Sequence, residues 1–223
     1  MNSFYRPYIE REDEIFRQIS GETSKAASNL KSTMPVELRK ALDWLCQDAE
    51  AVLDFGCGNG SFLASCAARG VTSLLGIDLS GEAVRCARQR DIPHCEIWQG
   101  SVERLTDLPA HSFQGVILSN ILDNLRPEDA EAALQQVHRL LTPQGRALVK
   151  LNPHLSLEQI QQWNITVLED DLLDDGLLLW NRTTEQWRQL LELYFQHQHL
   201  VDVYFEAYDQ HNRMFLCQVP IKI

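Results

Sequence analysis

The sequence has little positive charge. Its 20 lysines and arginines stand against 31 aspartates and glutamates, which gives a formal net charge of −11. Attraction to phosphate groups underlies non-specific binding to nucleic acids and to anionic membranes. Because the chain lacks the basic excess that such binding needs, nucleic acid and membrane lipid are disfavoured as partners.

Long apolar runs are also absent. None reaches the roughly 20 residues that span a bilayer. The N-terminal segment MNSFYRPYIEREDEIF carries charges where a signal peptide needs an apolar core. We therefore expect a cytoplasmic protein.

Paired cysteine motifs are missing as well. The six cysteines include no Cys-x-x-Cys pair and lie mainly in apolar segments. The neighbours His94 and Cys95 fit no zinc-ligand spacing. The sequence predicts free thiols and no metal site.

No internal repeat, low-complexity tract or Pro/Gly/Ser-rich linker divides the chain. Hydrophobic residues make up 44% of it, which is enough for a substantial core. We predict one domain over residues 1–223, with a polar N-terminal arm at 1–34 and an irregular insertion at 153–182.

Between the arm and the insertion, short apolar runs alternate with helix-like segments. Strands are predicted at residues 51–55, 73–79, 94–100, 115–120 and 146–152. Strands joined by helical crossovers form a parallel sheet with helices on both faces. Two further strand-like runs, 200–208 and 213–221, are joined by a loop too short for a crossover and should be antiparallel. The predicted fold class is α/β, with a mostly parallel seven-stranded sheet and an antiparallel C-terminal hairpin.

The most informative segment is AVLDFGCGNGSFL. Gly56, Gly58 and Gly60 follow a strand directly and precede a helix, so the bare backbone can turn sharply and approach a ligand closely. Asp78 ends the next strand, 22 residues after Gly56, where a carboxylate can accept both hydroxyls of a ribose. Turn glycines also have purely conformational uses, but this spacing indicates a nucleoside cleft at the carboxyl ends of the strands.

The loop differs from a dinucleotide-binding loop. It reads G-x-G-x-G, with Ser61 where the later glycine of G-x-G-x-x-G would fall. Asp54, just before the loop, would repel a pyrophosphate but suits the ammonium group of a methionine moiety, directly or through water. Because Asp54 lies inside an apolar strand, we do not expect it to be a solvent-exposed acid.

LDFGCGNG and GIDLS resemble the first two motifs of the class I S-adenosylmethionine-dependent methyltransferases, and the resemblance covers roughly residues 48–152. It implies a Rossmann-like fold, S-adenosylmethionine as the methyl donor and S-adenosylhomocysteine as the product. By this resemblance the glycine loop surrounds the methionine part, Asp78 holds the ribose and Leu79 packs on the adenine. The cofactor-binding residues implied are Asp54, Gly56, Cys57, Gly58, Gly60, Asp78, Leu79, Ser101, Val102 and Asn120.

The adenine contact departs from the family pattern. In QGSVERL, Ser101 stands where the family often has aspartate. A hydroxyl can replace that acceptor, and the backbone amide of Val102 is the alternative.

The segment SNILDNL borders the cofactor and the acceptor in the family. It differs from the Asn/Asp-Pro-Pro-Tyr/Phe signature of enzymes that methylate nucleobase amino groups and glutamine amides. Asn120 is a candidate contact for the acceptor as well as for the cofactor. Asp123 is a candidate catalytic residue, although it is equally well a loop acid ahead of the helix at Pro127.

A general base is needed if the acceptor is a hydroxyl or a protonated amine. His154, just past the fifth strand, is a candidate for this role and for contact with the acceptor, and His211 is a second candidate. A lone loop histidine is more often simply solvated. The sequence therefore identifies no base by residue type alone.

Two aromatic regions complete the candidate acceptor site. Tyr5 and Tyr8 are candidate acceptor contacts because N-terminal arms of this family often fold over the cofactor, and packing of the arm on the body is the alternative. In the insertion, Trp163 and Trp180 flank five acids in a predicted hairpin. Such a cluster suits a cationic amine, but it is more often a solvated turn.

The sequence thus predicts an enzyme that transfers a methyl group to a small-molecule acceptor. Methylation of a protein or an RNA with the help of a partner subunit is the alternative within the family. A module that binds S-adenosylmethionine without turnover and a nicotinamide oxidoreductase are the alternatives from other classes.

Overall fold

The computed structural model describes residues 3–26 and 34–220. Within these ranges the helices are α1 (Arg6–Ala26), α2 (Val36–Cys46), α3 (Ser61–Ala67), α4 (Gly81–Gln89), α5 (Val102–Thr106), α6 (Pro127–Leu140), α7 (Leu157–Gln162) and α8 (Thr184–Glu192). The strands are β1 (Ala51–Phe55), β2 (Ser73–Asp78), β3 (Cys95–Gln99), β4 (Phe113–Ser119), β5 (Leu141–Leu151), β6 (Thr166–Glu169), β7 (Leu172–Asp174), β8 (Leu178–Trp180), β9 (His197–Phe205) and β10 (Gln210–Gln218).

Seven of these strands form one sheet, in the order β3-β2-β1-β4-β5-β10-β9. The strands β1 to β5 are parallel to one another. β10 runs antiparallel to both β5 and β9. The predicted fold class is therefore confirmed. The strand order reverses between β1 and β4, which is where ligands bind in open α/β sheets, outside the carboxyl ends of the strands.

Each face of the sheet carries one apolar layer. Along β1, Leu53 and Phe55 face a cluster that includes α6 and α8. Val52 points the other way, toward a cluster that includes α2 and α3. These side chains are at most 3% exposed, and burial of each contributes roughly 1.5–3 kcal/mol. The two layers hold the carboxyl edge of the sheet in place.

Local capping residues mark the starts of several helices. The Ser80 hydroxyl accepts a hydrogen bond from the Ala83 amide at 3.0 Å, and Pro127 occupies the first turn of α6. Thr183 and Gln186 form a capping box at the start of α8. These polar caps fix where the loops at the carboxyl edge end.

The N-terminal segment differs from the predicted polar arm at 1–34, of which residues 1–2 and 27–33 lie outside the described residues. A single turn at Ser3–Tyr5 leads directly into α1. The Asp13 carboxylate accepts hydrogen bonds from the Ser80 hydroxyl at 2.5 Å and from the Glu82 amide at 3.2 Å. Because of these contacts α1 lies against the start of α4, beside the carboxyl edge of the sheet.

The insertion at 153–182 is more regular than predicted. It contains α7 and a separate antiparallel sheet, β6-β7-β8, rather than a simple hairpin. Leu155, Ile160, Leu173 and Leu179 form a small apolar cluster within it. The insertion therefore has a small hydrophobic core of its own.

The aromatic and acidic residues of the insertion do not form a common amine-binding cluster, and residues 166–170 are exposed, as the interpretation of a solvated turn predicts. Trp163 is 54% exposed, whereas Trp180 is 4% exposed. Trp180 packs edge-on against Trp187, with 5.1 Å between ring centroids, and its indole nitrogen donates to Asp171 at 2.9 Å. The two tryptophans are therefore in different environments, and two of the acids, Asp171 and Asp174, have structural partners.

All six cysteines are free thiols. The described ranges contain no group of three or more His, Cys, Asp or Glu side chains that could hold a metal ion.

Among the described residues, no helix combines the length and the apolar character needed to cross a membrane.

Candidate active site

The main cavity lies at the carboxyl edge of the sheet and has a volume of about 440 Å³. Its walls come from the ends of β1, β2, β4 and β5, from α1, from β8 and from the last two strands. One continuous cleft therefore extends from the glycine turn to the antiparallel hairpin.

The glycine turn forms one wall of this cavity. Gly56 and Gly58 line it, with φ angles of 77° and 53°. The amides of Gly56 and Cys57 both donate to the carbonyl of Ile77, at 2.8 and 3.1 Å. A Cβ atom on Gly56 would come within 2.8 Å of Ile121. Glycine is required here by the left-handed backbone and by the lack of space.

Asp78 fastens this turn to the next loop. One carboxylate oxygen accepts from the Gly58 amide at 2.7 Å, and the other accepts from the Ser80 amide at 2.9 Å. Burial raises the pKa of Asp78, while these two hydrogen bonds lower it. The side chain is 8% exposed and faces the cavity. Since a carboxylate has about four lone-pair positions, two remain for donors in the cavity.

The residues predicted to hold the adenine lie together beyond Asp78. Leu79 and Ser101 line the main cavity. They also line an adjoining recess that is bounded by Val102 and Tyr5. Apolar and hydroxyl groups are thus close to each other at the end of the cavity farthest from the hairpin.

The ends of β4 and β5 carry an amide network. Asn120 has a φ of 55°, and its side chain donates to the Asn152 side chain. The Asn152 side chain in turn donates to Asn124 at 3.2 Å. All three asparagines line the cavity.

Asp123 lies beneath this network rather than in the cavity wall. It is fully buried, and its carboxylate accepts from the Asn152 backbone amide at 2.6 Å. Burial raises its pKa, while that hydrogen bond and the charges of Lys150 and Arg213 lower it. Of the two interpretations of Asp123, the structure favours a loop acid ahead of the helix at Pro127 over a contact with the reacting centre, because Asp123 lies outside the cavity wall and holds Asn152.

The hairpin end of the cavity contains Lys150 of β5. Its side chain is 7% exposed and lies over the ring of Phe205, with 5.4 Å between Nζ and the ring centroid. Asn212, which is 2% exposed, lines the same end. This end is therefore closed, polar and positively charged.

Comparison with known proteins agrees with this geometry. Residues 52–145, which contain the glycine turn, Asp78 and Asn120, match a family model described as a methyltransferase domain. The matched residues are less than half of the chain, and over them the chain is similar to a methyltransferase domain. The strand order agrees with the Rossmann-like sheet that the resemblance to class I methyltransferases implies.

Two relatives of this chain have names that state different methyl acceptors. One is the 2-phytyl-1,4-naphtoquinone methyltransferase of Thermosynechococcus vestitus, 34% identical over 131 residues, which are 55% of this chain and 57% of the relative. The other is the ribosomal protein L11 methyltransferase of Burkholderia ambifaria, 33% identical over 90 residues, which are 39% of this chain and 29% of the relative. The matched region thus spans little more than half of the first relative and under a third of the second.

Solved structures share the fold over most of the chain. The 1,6-didemethyltoxoflavin-N1-methyltransferase of Burkholderia thailandensis gives a TM-score of 0.65 at 18% identity, covering 99% of this chain and 91% of that one. A SAM-dependent methyltransferase from Archaeoglobus fulgidus gives 0.63 at 15% identity, covering 82% and 91%. At these identities the likeness is one of fold.

Three residues predicted to contact the cofactor line neither the main cavity nor the adjoining recess. Gly60 turns the chain into α3, with a φ of 75°. The Cys57 side chain packs beneath β2, where its sulfur would lie 2.8 Å from a Cβ atom on Gly76. Asp54 is fully buried on the same side of β1. Cys57 and Gly60 therefore support the conformation of the turn on the side away from the cavity.

Asp54 has an unusual environment. Neither of its carboxylate oxygens has a hydrogen-bond partner among the described residues. Burial, with a smaller contribution from the charge of Asp78, raises the pKa of Asp54 to about 8. Direct contact with an ammonium group in the cavity is not available in this arrangement.

We expect Asp54→Asn to stabilise the protein at pH 8 by about 1–2 kcal/mol. The folded chain holds this proton up to about pH 8, whereas an unfolded aspartate releases it near 3.8. The free energy of unfolding of the wild type therefore falls as pH rises between these values, whereas asparagine has no proton to release and causes no such fall. Urea denaturation of both proteins from pH 5 to pH 8 measures this difference. Parallel pH curves for the two proteins would show that Asp54 is ionised in the fold.

The two candidate histidines lie outside the cavity wall. His154 is exposed, and partial burial together with Arg213 lowers its pKa. His211 is also exposed, and its ring nitrogen lies 2.7 Å from the Asp202 carboxylate. Neither histidine reaches the space that a substrate would occupy, so the structure does not support either as the base.

Both predicted tyrosines do line the cavity. The Tyr5 hydroxyl donates to Asp129 at 2.6 Å and accepts from the Arg126 amide at 2.9 Å. The Tyr8 hydroxyl donates to Asp174 at 3.3 Å. Tyr5 therefore anchors the start of α1 to α6, and Tyr8 joins it to the small sheet.

Tyr5→Phe should loosen this anchor by about 1–2 kcal/mol, because the Arg126 amide and Asp129 lose a buried partner. Hydrogen exchange in α1 should become about tenfold faster. Tyr8→Phe is the matched control, since its hydrogen bond is longer and its side chain less buried, and we expect a smaller change. Equal exchange rates in the Tyr5 variant and the wild type would mean that α1 is held by other contacts.

Sequence reasoning missed one acidic residue in the cavity. Glu12 lines it from α1. Burial, followed by the charges of Asp78 and Asp13, raises the pKa of Glu12 to about 7. Tyr5, Ile9, Glu12 and Phe16 recur at intervals of three or four residues, a spacing that would have indicated a helix with one face toward the site.

Proposed function

We propose that the chain transfers a methyl group from S-adenosylmethionine to a small-molecule acceptor. One observation carries this proposal: a single cleft joins the glycine turn and Asp78 at one end to Lys150 and Asn212 at the other. A donor and an acceptor of small size can therefore meet in the same cleft.

The residues at the glycine turn fit the cofactor. Asp78 has the free acceptor capacity for ribose hydroxyls, Leu79 offers an apolar surface to the adenine, and Ser101 offers a hydroxyl to it. Gly56 and Gly58 line the cavity with bare backbone, which the amino-acid part can approach closely.

The negative charge at the glycine-turn end of the cavity disfavours a dinucleotide as the cofactor. Glu12 and Asp78 line the cavity. A pyrophosphate there would be repelled by these carboxylates, whereas a sulfonium and an ammonium would be attracted. The proposed cofactor is the one whose charges complement these acids.

When bound, the cofactor supplies a methyl group on a sulfonium, and the electron pair of the broken carbon–sulfur bond stays on sulfur. The residues of this chain position the reactants and exclude water, which are the main requirements for an in-line displacement. Tyr5, Ile9 and Phe16 of the N-terminal segment cover the cavity. Asn120, held by Asn152, fixes the boundary between the donor and acceptor ends.

A small acceptor is supported by the cover over the cavity and by the naphthoquinone and toxoflavin methyltransferases among the similar proteins. The alternative is a protein acceptor, favoured by the relative named for ribosomal protein L11. The net charge of −11 weighs against unassisted RNA binding.

Methyl transfer can be tested with S-adenosylmethionine labelled with tritium in its methyl group. The enzyme is incubated separately with the small-molecule, protein and RNA fractions of a cell extract, with Asp78→Ala as the matched control. We expect the label to appear in the small-molecule fraction and S-adenosylhomocysteine to be released. Label in the protein or RNA fraction would show that the acceptor belongs to that class and would contradict the small-molecule proposal. Cofactor binding without turnover on any fraction would indicate a binding module.

A further inference from the structure

Lys150 is a charged residue in a buried strand. In β5 it follows Ala147, Leu148 and Val149, all of which are fully buried. It pairs with Ser119 of β4 on one side and Met214 of β10 on the other. A cation placed among apolar neighbours is costly unless an anionic or hydrogen-bonding group compensates it.

The chain itself supplies little compensation. Among the described residues, the ammonium contacts the Phe205 ring and is attracted by the more distant Asp123, whose charge is shared with Arg213. No hydrogen bond or ion pair to Lys150 forms within the described ranges. Burial lowers the pKa of Lys150 to about 8, so the side chain is mainly protonated at neutral pH. The unpaired ammonium lines the cavity.

Lys150 is far from the nucleoside end. The strand order places β5 two strands from β1 and three strands from β2. At about 4.8 Å per strand, Lys150 lies roughly 10 Å from the glycine turn and roughly 14 Å from Asp78. Its neighbours in the cavity are Phe205, Tyr208 and Asn212 of the hairpin. A group bound to Lys150 therefore sits on the acceptor side.

We propose that Lys150 binds the acceptor, and that the acceptor is an aromatic molecule with an ionised oxygen, a phenolate or an enolate. This inference rests on the proposed function and adds the substrate class. The oxygen would pair with the ammonium, which offsets the cost of the buried charge. The rings of Phe205 and Tyr208 offer a surface for an aromatic ring. A cationic amine is disfavoured because it would be repelled by Lys150.

The test uses para-nitrophenol, whose phenolate absorbs visible light, and its uncharged analogue para-nitroaniline. Both are titrated into the full chain in the presence of saturating S-adenosylhomocysteine. We expect the wild type to bind the phenolate and to favour ionisation of the bound probe. In Lys150→Met, phenolate affinity should fall about tenfold or more, with little change for para-nitroaniline or S-adenosylhomocysteine.

Two further variants make the test specific. Lys40→Met removes an exposed lysine of α2 and should leave phenolate binding intact. Lys150→Arg keeps the charge and should retain most of the affinity. If Lys150→Met does not fold, Lys150→Gln keeps a polar group in the cavity and replaces it.

Three results would overturn the inference. One is that the wild type binds no phenolate, or that Lys150→Met (or Lys150→Gln in its place) binds it as tightly as the wild type. Another is equal loss of phenolate and para-nitroaniline binding. The third is a tenfold loss of S-adenosylhomocysteine affinity, because Lys150 would then hold the carboxylate of the cofactor. If the wild type fails to bind S-adenosylhomocysteine at all, the proposed function itself fails, a result distinct from these three.

Discussion

Replacement of Asp78 by alanine is expected to weaken S-adenosylhomocysteine binding by about 2–3 kcal/mol, a factor of roughly 30 to 150. The ribose hydroxyls would lose a charged acceptor. The Gly58 amide would also lose its 2.7 Å hydrogen bond and the Ser80 amide its 2.9 Å bond, so both loops around the ligand would become less well fixed. Calorimetric titration of the folded variant measures the change.

Two controls separate the ribose contact from a general loss of structure. Asp78→Asn keeps one acceptor oxygen and should show an intermediate loss. Methylthioadenosine, which has the ribose but no amino-acid part, should lose affinity for Asp78→Ala by a similar factor. Wild-type affinity for S-adenosylhomocysteine in a folded Asp78→Ala protein would remove Asp78 from the ribose role.

Gly58→Val is expected to be more severe, with a loss in S-adenosylhomocysteine affinity of about 3 kcal/mol or more, at least about 150-fold. The φ of 53° is strained for a branched side chain. The new Cβ atom would lie 3.3 Å from the Phe16 ring, so the larger side chain pushes α1 away from the cavity or displaces the turn. Titration with S-adenosylhomocysteine again gives the result.

Gly70→Val is the matched control for this change. Gly70 also has a positive φ, 90°, but no atom lies within 4 Å of the position that its Cβ would occupy. We expect it to lower stability through backbone strain and to leave ligand affinity unchanged. Equal effects of the two substitutions on affinity would mean that the space beside Gly58 is not part of the binding site.

The sequence was sufficient for the parts of the fold that depend on local pattern. Apolar runs alternating with helices predicted the parallel sheet, and the short loop before Arg213 predicted the antiparallel hairpin. The glycine turn and Asp78 were found because their conformational and charge requirements are local. The structure confirms their proximity.

Other parts of the site depend on packing between distant segments. The helical face carrying Glu12 contains both aromatic and acidic residues, so it does not stand out as an apolar stripe. Lys150 was overlooked within an apolar strand, although a charge in such a position is itself a signal. His154 and Asp123 were selected by residue type, and tertiary packing directs the first outward and buries the second.

The most direct test is side-by-side calorimetry of the wild-type protein with S-adenosylmethionine and with NAD. We expect one site for S-adenosylmethionine, with a dissociation constant on the order of micromolar, and NAD binding at least about 100-fold weaker because its pyrophosphate meets the carboxylates at the glycine turn. Binding of NAD as tightly as S-adenosylmethionine would contradict this assignment of the cavity.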